Sequence, residues 1–156
     1  MLDRGKNSGH ISETTSPEYQ IDNFSFRALT SPDEVQEAQR LLHLCYVRER
    51  GWKIPSETAS KIKALEDGNG WQLTDRYSEN AVWFGAYSGN DLVGCFRVLP
   101  NKYLELPNYV KIPNVLASEA TELNRLAISS TYRKHRIITL MSVSYTHLTL
   151  PTTPYV

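Results

Sequence analysis

The sequence predicts an α/β (α+β) domain, with a central mixed, mostly antiparallel sheet flanked by helices and incomplete at its C-terminal end. Three observations predict it. Two aromatic and apolar segments flank the turn residues Ser88-Gly89-Asn90-Asp91, an amphipathic stretch follows a capping signal at Ser31, and the periods run β, α, α, β, β, β, α without a repeat. At 156 residues the chain has the length of one domain with one core, so one active site is the most to look for.

Residues 1–22 are rich in Ser, Thr, Gly, Asn and charge with no sustained apolar period, which predicts a disordered leader. Phe24 to Leu29 alternates apolar and polar residues, as a half-buried strand does. Ser31-Pro32-Asp33-Glu34 combines a Ser N-cap, a Pro in the first turn and an acid three residues on, so a helix begins there. Behind it Val35, Ala38, Leu41, Leu42, Cys45 and Tyr46 form one apolar stripe, which Gly51 ends. A second, weaker helix is expected over Ser56 to Glu66, before the breaker Asp67-Gly68-Asn69-Gly70. Ala81 to Tyr87 and Leu92 to Leu99 read as an antiparallel hairpin. Pro100, Pro107 and Pro113 make Asn101 to Ala120 mostly loop. Glu122 to Ile128 reads as a further strand, and Ser130 to Met141 as a helix.

From about Ser142 the sequence loses its charge and its helical period. The string Val143-Ser144-Tyr145-Thr146-His147-Leu148-Thr149-Leu150-Pro151-Thr152 resembles a transposon-derived sequencing adaptor translated in frame. Residues 142–156 are accordingly expected to be a non-native tail, and residues 23–141 the N-terminal part of the domain. An ordinary Thr-rich edge strand is the alternative. His147 is assigned to no site.

The 17 Lys and Arg balance the 17 Asp and Glu, so the composition gives no reason to expect a nucleic-acid partner. No run approaches the ~20 apolar residues of a membrane span, and the polar N-terminus has no secretory h-region, so cytoplasmic residence is expected. The two cysteines, Cys45 and Cys95, sit in apolar stretches and read as core thiols. His43 and His135 lack spaced metal-ligand companions and read as packing or surface residues, so no metal is expected.

Two places carry chemistry. Arg97 shares the apolar face of its strand with Val93, Cys95 and Leu99, and an Arg there needs a partner or a ligand. Asp75, Glu122 and Arg125 are candidate partners, and a purely structural ion pair explains the position equally well. The other is Thr121 to Ile128, which bears Glu122 and Arg125 and leads into Tyr132-Arg133-Lys134-His135-Arg136. A helix start flanked by basic residues can hold a phosphate-bearing cofactor, although a basic first turn is also an ordinary solvated surface.

Tyr46 five residues before Gly51-Trp52, then Asp75-Arg76-Tyr77, then Gly94-Cys95-Phe96-Arg97-Val98-Leu99-Pro100, then Glu122-Leu123-Asn124-Arg125 together resemble the ordered motif set of acyl-homoserine-lactone (autoinducer) synthases. Tyr132-Arg133 close behind the last motif is more similar to N-acyl amino acid synthases and other GNAT-fold acyltransferases. The sequence departs from the autoinducer pattern at Leu42, where an Arg is usual, and at Ser78, where a second acid is usual.

The resemblance implies a GNAT-like fold and transfer of an acyl group from an acyl-carrier-protein or CoA thioester to the amine of an amino acid or related small molecule. It implies Glu122, Arg97, Arg125 and Asp75 as catalytic positions and Tyr46, Trp52 and Tyr77 as substrate-binding ones. It places the phosphopantetheine arm at Leu126, Ala127, Ile128, Tyr132, Arg133 and Arg136. Glu122 would act as general base, the arginines would orient carboxylates, and backbone N–H groups at 126–128 would polarise the thioester. Burial alone would also explain Tyr46 and Trp52, as core residues, and is the preferred reading of the two. The alternatives are a short-chain acetyl-CoA N-acetyltransferase of the same fold and a non-catalytic module binding nucleic acid or an acidic partner through Arg133-Lys134-His135-Arg136.

Overall fold

The computed structural model describes residues 18–149. Strand β1 (Glu18–Ile21) pairs with β2 (Phe24–Leu29) across a two-residue turn in which Asp22 takes φ 54°, a left-handed conformation that Asp tolerates. The expected disordered leader is thus corrected over its last residues, where Tyr19 and Ile21 alternate inward with the pleat and pack against the core.

Helix α1 (Pro32–His43) starts as the sequence requires. The Ser31 hydroxyl accepts the Glu34 N–H at 3.2 Å, and the Glu34 carboxylate accepts the N–H groups of Ser31 and Thr30. The helix then widens into a π-helical turn over Leu44–Glu49. Gly51, at φ 66°, closes it by donating to the Val47 carbonyl, and the Trp52 N–H bonds back to the Tyr46 carbonyl.

No helix forms over Ser56 to Glu66. Lys61 takes φ 51°, and Lys63–Glu66 is a strand, β3, that pairs with β4 (Trp71–Thr74) around the Asp67-Gly68-Asn69-Gly70 turn. Strands β5 (Val82–Ser88) and β6 (Asp91–Leu99) form the expected central hairpin. The stretch after Pro100 is loop with two short 3₁₀ turns and one helical turn, α2 (Asn114–Ala117). It leads to β7 (Glu122–Ile128).

The last helix, α3 (Ile137–Thr149), starts later than the expected Ser130. Ser130–Tyr132 is a 3₁₀ turn, and Arg136 at φ 56° prevents a continuous right-handed helix before Ile137. The helix also continues through Ser142 to Thr149, correcting the absence of helical period expected there. Ile137, Met141, Ser144 and Tyr145 form a stripe facing the sheet, and Tyr145 packs edge-on against Phe84 and Phe96. Residues 150–156 lie outside the described part.

The main sheet has the order β1-β2-β5-β6-β7, and every pairing in it is antiparallel. One face carries α1 and the β4 side chain Leu73, packed on Trp83, Cys95 and Ala127. The other carries α3, packed on Phe26, Phe84, Phe96 and Val98. Gly94 allows that second contact, since a Cβ there would lie 3.0 Å from the Met141 sulfur. The two faces explain the central strands: both sides of β5 and β6 are buried, so apart from their ends and Arg97 they are apolar. Among the described residues, no helix is long and apolar enough to cross a membrane.

Ser31→Ala removes one of the N-terminal donors' acceptors and is expected to cost about 1 kcal/mol of stability, read by urea unfolding. A loss below about 0.3 kcal/mol would show that the cap does not stabilise this helix.

Candidate active site

Arg97 is 1% exposed and points to the α1 side of β6. Val93 does not share that face, as the sequence had suggested, because a bulge opposite Ala86 and Tyr87 shifts the alternation and turns Val93 toward α3. The Arg97 guanidinium donates to Asp75 Oδ1 at 2.7 Å, to Glu105 Oε2 at 3.0 Å and, through Nε, to Asn124 Oδ1 at 2.6 Å. It also lies 5.7 Å from the centre of the Trp83 ring. Arg125 donates to the other oxygens of the same two acids, Asp75 Oδ2 and Glu105 Oε1, both at 2.8 Å. Two guanidiniums and two carboxylates therefore alternate in a closed, neutral ring.

Each member reaches the ring for a local reason. Asp75 follows β4, and its Oδ1 also accepts the Tyr77 N–H and the Ser78 hydroxyl. Arg125 sits where β7 bulges: Arg125 and Leu126 together oppose Phe96, and Arg125 takes φ 53°. A non-glycine residue there is strained, and the two ion pairs of its side chain offset that cost. Glu105 comes from the Pro-rich loop. Its carboxylate is also reached by the buried Ser60 hydroxyl at 2.5 Å and by Asn124 Nδ2 at 2.8 Å.

Glu122 is not a member of the ring. Its Oε2 accepts the backbone N–H groups of Glu105 and Leu106, both at 2.8 Å, and its Oε1 accepts Asn124 Nδ2 at 2.9 Å. The two oxygens offer about four acceptor positions, and these contacts fill all but one. Glu122 thus holds the loop that delivers Glu105; it bonds to neither arginine, and Asn124 links it to Arg97.

Above this floor lies an open cleft of about 860 Å³. Of the residues singled out in the sequence, Tyr46, Trp52, Glu122, Arg125, Leu126, Ala127, Ile128 and Arg133 line it. Asp75, Arg97 and Tyr77 lie beneath its floor; the Tyr77 hydroxyl accepts Asn108 Nδ2 at 2.6 Å and ties down the same loop. Two residues are elsewhere. Tyr132 packs edge-on against Phe24 with the α3-side cluster, and Arg136 is exposed in the turn before α3. Both were expected at a helix start following β7, and the late start of α3 moves them away.

One wall of the cleft is the π-helical turn and the other is the outer edge of β7. Tyr46 donates its hydroxyl to the Leu126 carbonyl at 2.8 Å, and Arg133 Nε donates to the Ile128 carbonyl at 3.0 Å while pairing with Glu49. Since Ser129 bonds to Val93 on the β6 side, Ile128 points its backbone the other way, into the cleft edge. Tyr46 and Trp52 also meet edge-on at 6.2 Å, so they are packed residues and lining residues at once.

The sequence reading missed Glu105, Asn124, Tyr109 and the exposed Arg50, which line the cleft, and Ser60, buried behind Glu105. Asn124 stood inside the quoted Glu-Leu-Asn-Arg motif, and Arg50 stood beside Gly51-Trp52. Glu105, Ser60 and Tyr109 gave no local signal. Both cysteines are free and buried, and burial pushes the Cys45 and Cys95 thiols above their ordinary range, which makes them poor nucleophiles. His43 stacks on Trp71. Among the described residues, no group of three His, Cys, Asp or Glu side chains is placed to hold a metal ion.

The fold is the α+β, GNAT-like architecture implied by the motif order: a mostly antiparallel sheet between helices, with a bulged strand beside a cleft. Its likeness extends to the solved structure of FeeM, an N-acyl amino acid synthase from uncultured soil microbes, at a TM-score of 0.54 and 19% identity. That match covers 80% of this chain, which spans 64% of the FeeM chain. The acyl-homoserine-lactone synthase LasI matches at a TM-score of 0.44 and 14% identity, over 83% of this chain and 68% of that one. No family model and no curated protein matches the sequence.

Burial alone would raise the Asp75 pKa, but hydrogen bonds and charge from Arg97 and Arg125 outweigh it and hold the carboxyl below its ordinary range. A depressed folded-state pKa contributes stability that is present above the unfolded value of about 4 and is lost as pH falls through the folded one. Stability measured by urea unfolding is therefore expected to fall below about pH 4, and the Asp75→Asn variant to show a shallower acid loss. Identical slopes for the two proteins would remove Asp75 from the account.

Proposed function

We propose that the cleft is the active site of an N-acyltransferase, which moves an acyl group from an acyl-carrier-protein or CoA thioester to the amine of an amino acid or related small molecule. The single observation carrying this reading is the meeting of two features in one cleft. The open edge of the bulged strand β7 forms a wall, and Glu122 and Arg125 form the floor. Attack of an amine on a thioester needs a positioned carbonyl, stabilisation of the developing oxyanion and an acceptor for the amine's proton. The cleft supplies a group for each.

The backbone of Ile128 faces the cleft edge and offers its N–H to the thioester oxygen. Tyr46, Trp52, Ile62, Leu106 and Leu126 give the acyl chain apolar walls, which favours a long-chain donor over acetyl-CoA. Arg133, after the 3₁₀ turn that follows β7, reaches back to the Ile128 carbonyl and, although paired with Glu49, joins the exposed Arg50 in bringing cationic groups to the side where a phosphopantetheine arm would enter. The remaining acceptor position on Glu122 Oε1 takes the ammonium or, through a water, its proton. The amine adds to the thioester carbon, the C–S bond breaks, and the thiolate leaves and is protonated as the thiol. With the four-membered ring neutral, the charge of Glu122 leaves the floor net negative. That favours an ammonium-bearing acceptor.

A full-length homologue is expected to release free thiol when given a long-chain acyl donor and an amino acid, and the Glu122→Gln change in that context to lower kcat by about a hundredfold or more. A strong preference for acetyl-CoA would make it a short-chain acetyltransferase. No thiol release with any donor would end the transferase reading.

A further inference from the structure

One buried guanidinium, Arg97, and one partly buried beside it, Arg125, call for two carboxylates, because an unpaired buried charge is among the most costly features a fold can contain. Strand β4 and the turn after it deliver one, Asp75. Ser78, three residues on in the same turn, brings only a hydroxyl, 3.2 Å from Asp75 Oδ1. Glu105 supplies the missing charge from a loop 30 residues farther along the chain.

The investment in this one side chain is large. Its carboxylate receives Arg97, Arg125, Asn124 and Ser60, and its backbone N–H is held by Glu122. Ser60 is fully buried, and its hydroxyl is in turn bonded to that of Tyr109, on the far side of the same loop, at 2.9 Å. The loop is thus fastened at both ends of its 3₁₀ turn. Glu105 lines the cleft, as does Arg125 beside it.

We infer that Glu105 is a positioning residue for the acceptor half of the site: it neutralises Arg125 and fixes the loop that forms the cleft floor. This rests on the transferase reading above. Without its charge the ring becomes net positive beside the place where an ammonium must sit, while Glu122 still holds the loop backbone at residues 105 and 106 and Asp75 still holds Arg125, so the apolar wall and the β7 edge that hold the donor keep their places. The effect of Glu105→Gln therefore falls on the acceptor.

The test is steady-state kinetics with a long-chain acyl-CoA and an amino acid, together with thermal unfolding of each variant. Glu105→Gln is expected to raise the acceptor KM about tenfold, as loss of a charge-assisted contact does, and to leave the donor KM within about twofold. Adding Ser78→Asp to that variant is expected to return the acceptor KM to within about threefold of the original and to recover most of the lost Tm. An unchanged acceptor KM, equal losses for both substrates, or no recovery with Ser78→Asp would overturn the inference. Should Glu105→Gln not fold, Glu105→Asp, which keeps the charge, is expected to fold and to change the acceptor KM less than threefold; a tenfold rise would count against the role assigned. A wild-type protein without thiol release removes the transferase reading, and the Tm recovery by Ser78→Asp then decides whether the charge of Glu105 is what the ring requires.

Discussion

A guanidinium inside a protein loses the water that would otherwise stabilise its charge, and Arg97, on the central strand β6, lies fully inside. The surrounding chain must supply oxygen acceptors to match. Asp75, Glu105 and Asn124 arrive from a turn, a loop and a neighbouring strand to do so. Adding Arg125 closes the set into a ring in which each acid spends one oxygen on each arginine. Such a cluster need not add net stability over a well-packed apolar one, but it allows only one arrangement of the segments that meet there.

The shape of the cleft follows from that arrangement. Arg125 can hold its left-handed backbone because its side chain is anchored, and that conformation makes the bulge in β7. Beyond the bulge, the carbonyls of Leu126 and Ile128 turn to the outer edge, where Tyr46 and Arg133 meet them. Glu105 carries its loop into the floor, and Glu122 secures the loop's backbone. Strain, charge pairing and an open strand edge thus occur within a few residues of one another, as is usual where a protein binds or transforms a ligand.

Local signals in the sequence were sufficient for the elements they govern. The Ser31 capping box, the β5–β6 hairpin and the span of β7 all depend on neighbours within a few residues, and all were legible. Arg97 was legible too, since a charge on an apolar strand face announces a missing partner. Its partners were only partly so: Asp75 was named, but Glu105 sits in a Pro-rich loop without periodicity and meets Arg125 from 20 residues away. Strand β3 is four residues long, too short to show its alternation, and was read as helix. The start of α3 depends on the left-handed Arg136, for which no glycine or asparagine gave warning.

The most direct test of this account is a double-mutant cycle on folding stability between Arg97→Met and Asp75→Leu. Each single change strands a buried charge and is expected to cost about 3–5 kcal/mol, while the double variant loses less than the sum by about 2 kcal/mol or more. Costs that simply add, within about 0.5 kcal/mol, would mean that the two side chains do not depend on each other and that the ring does not organise the site.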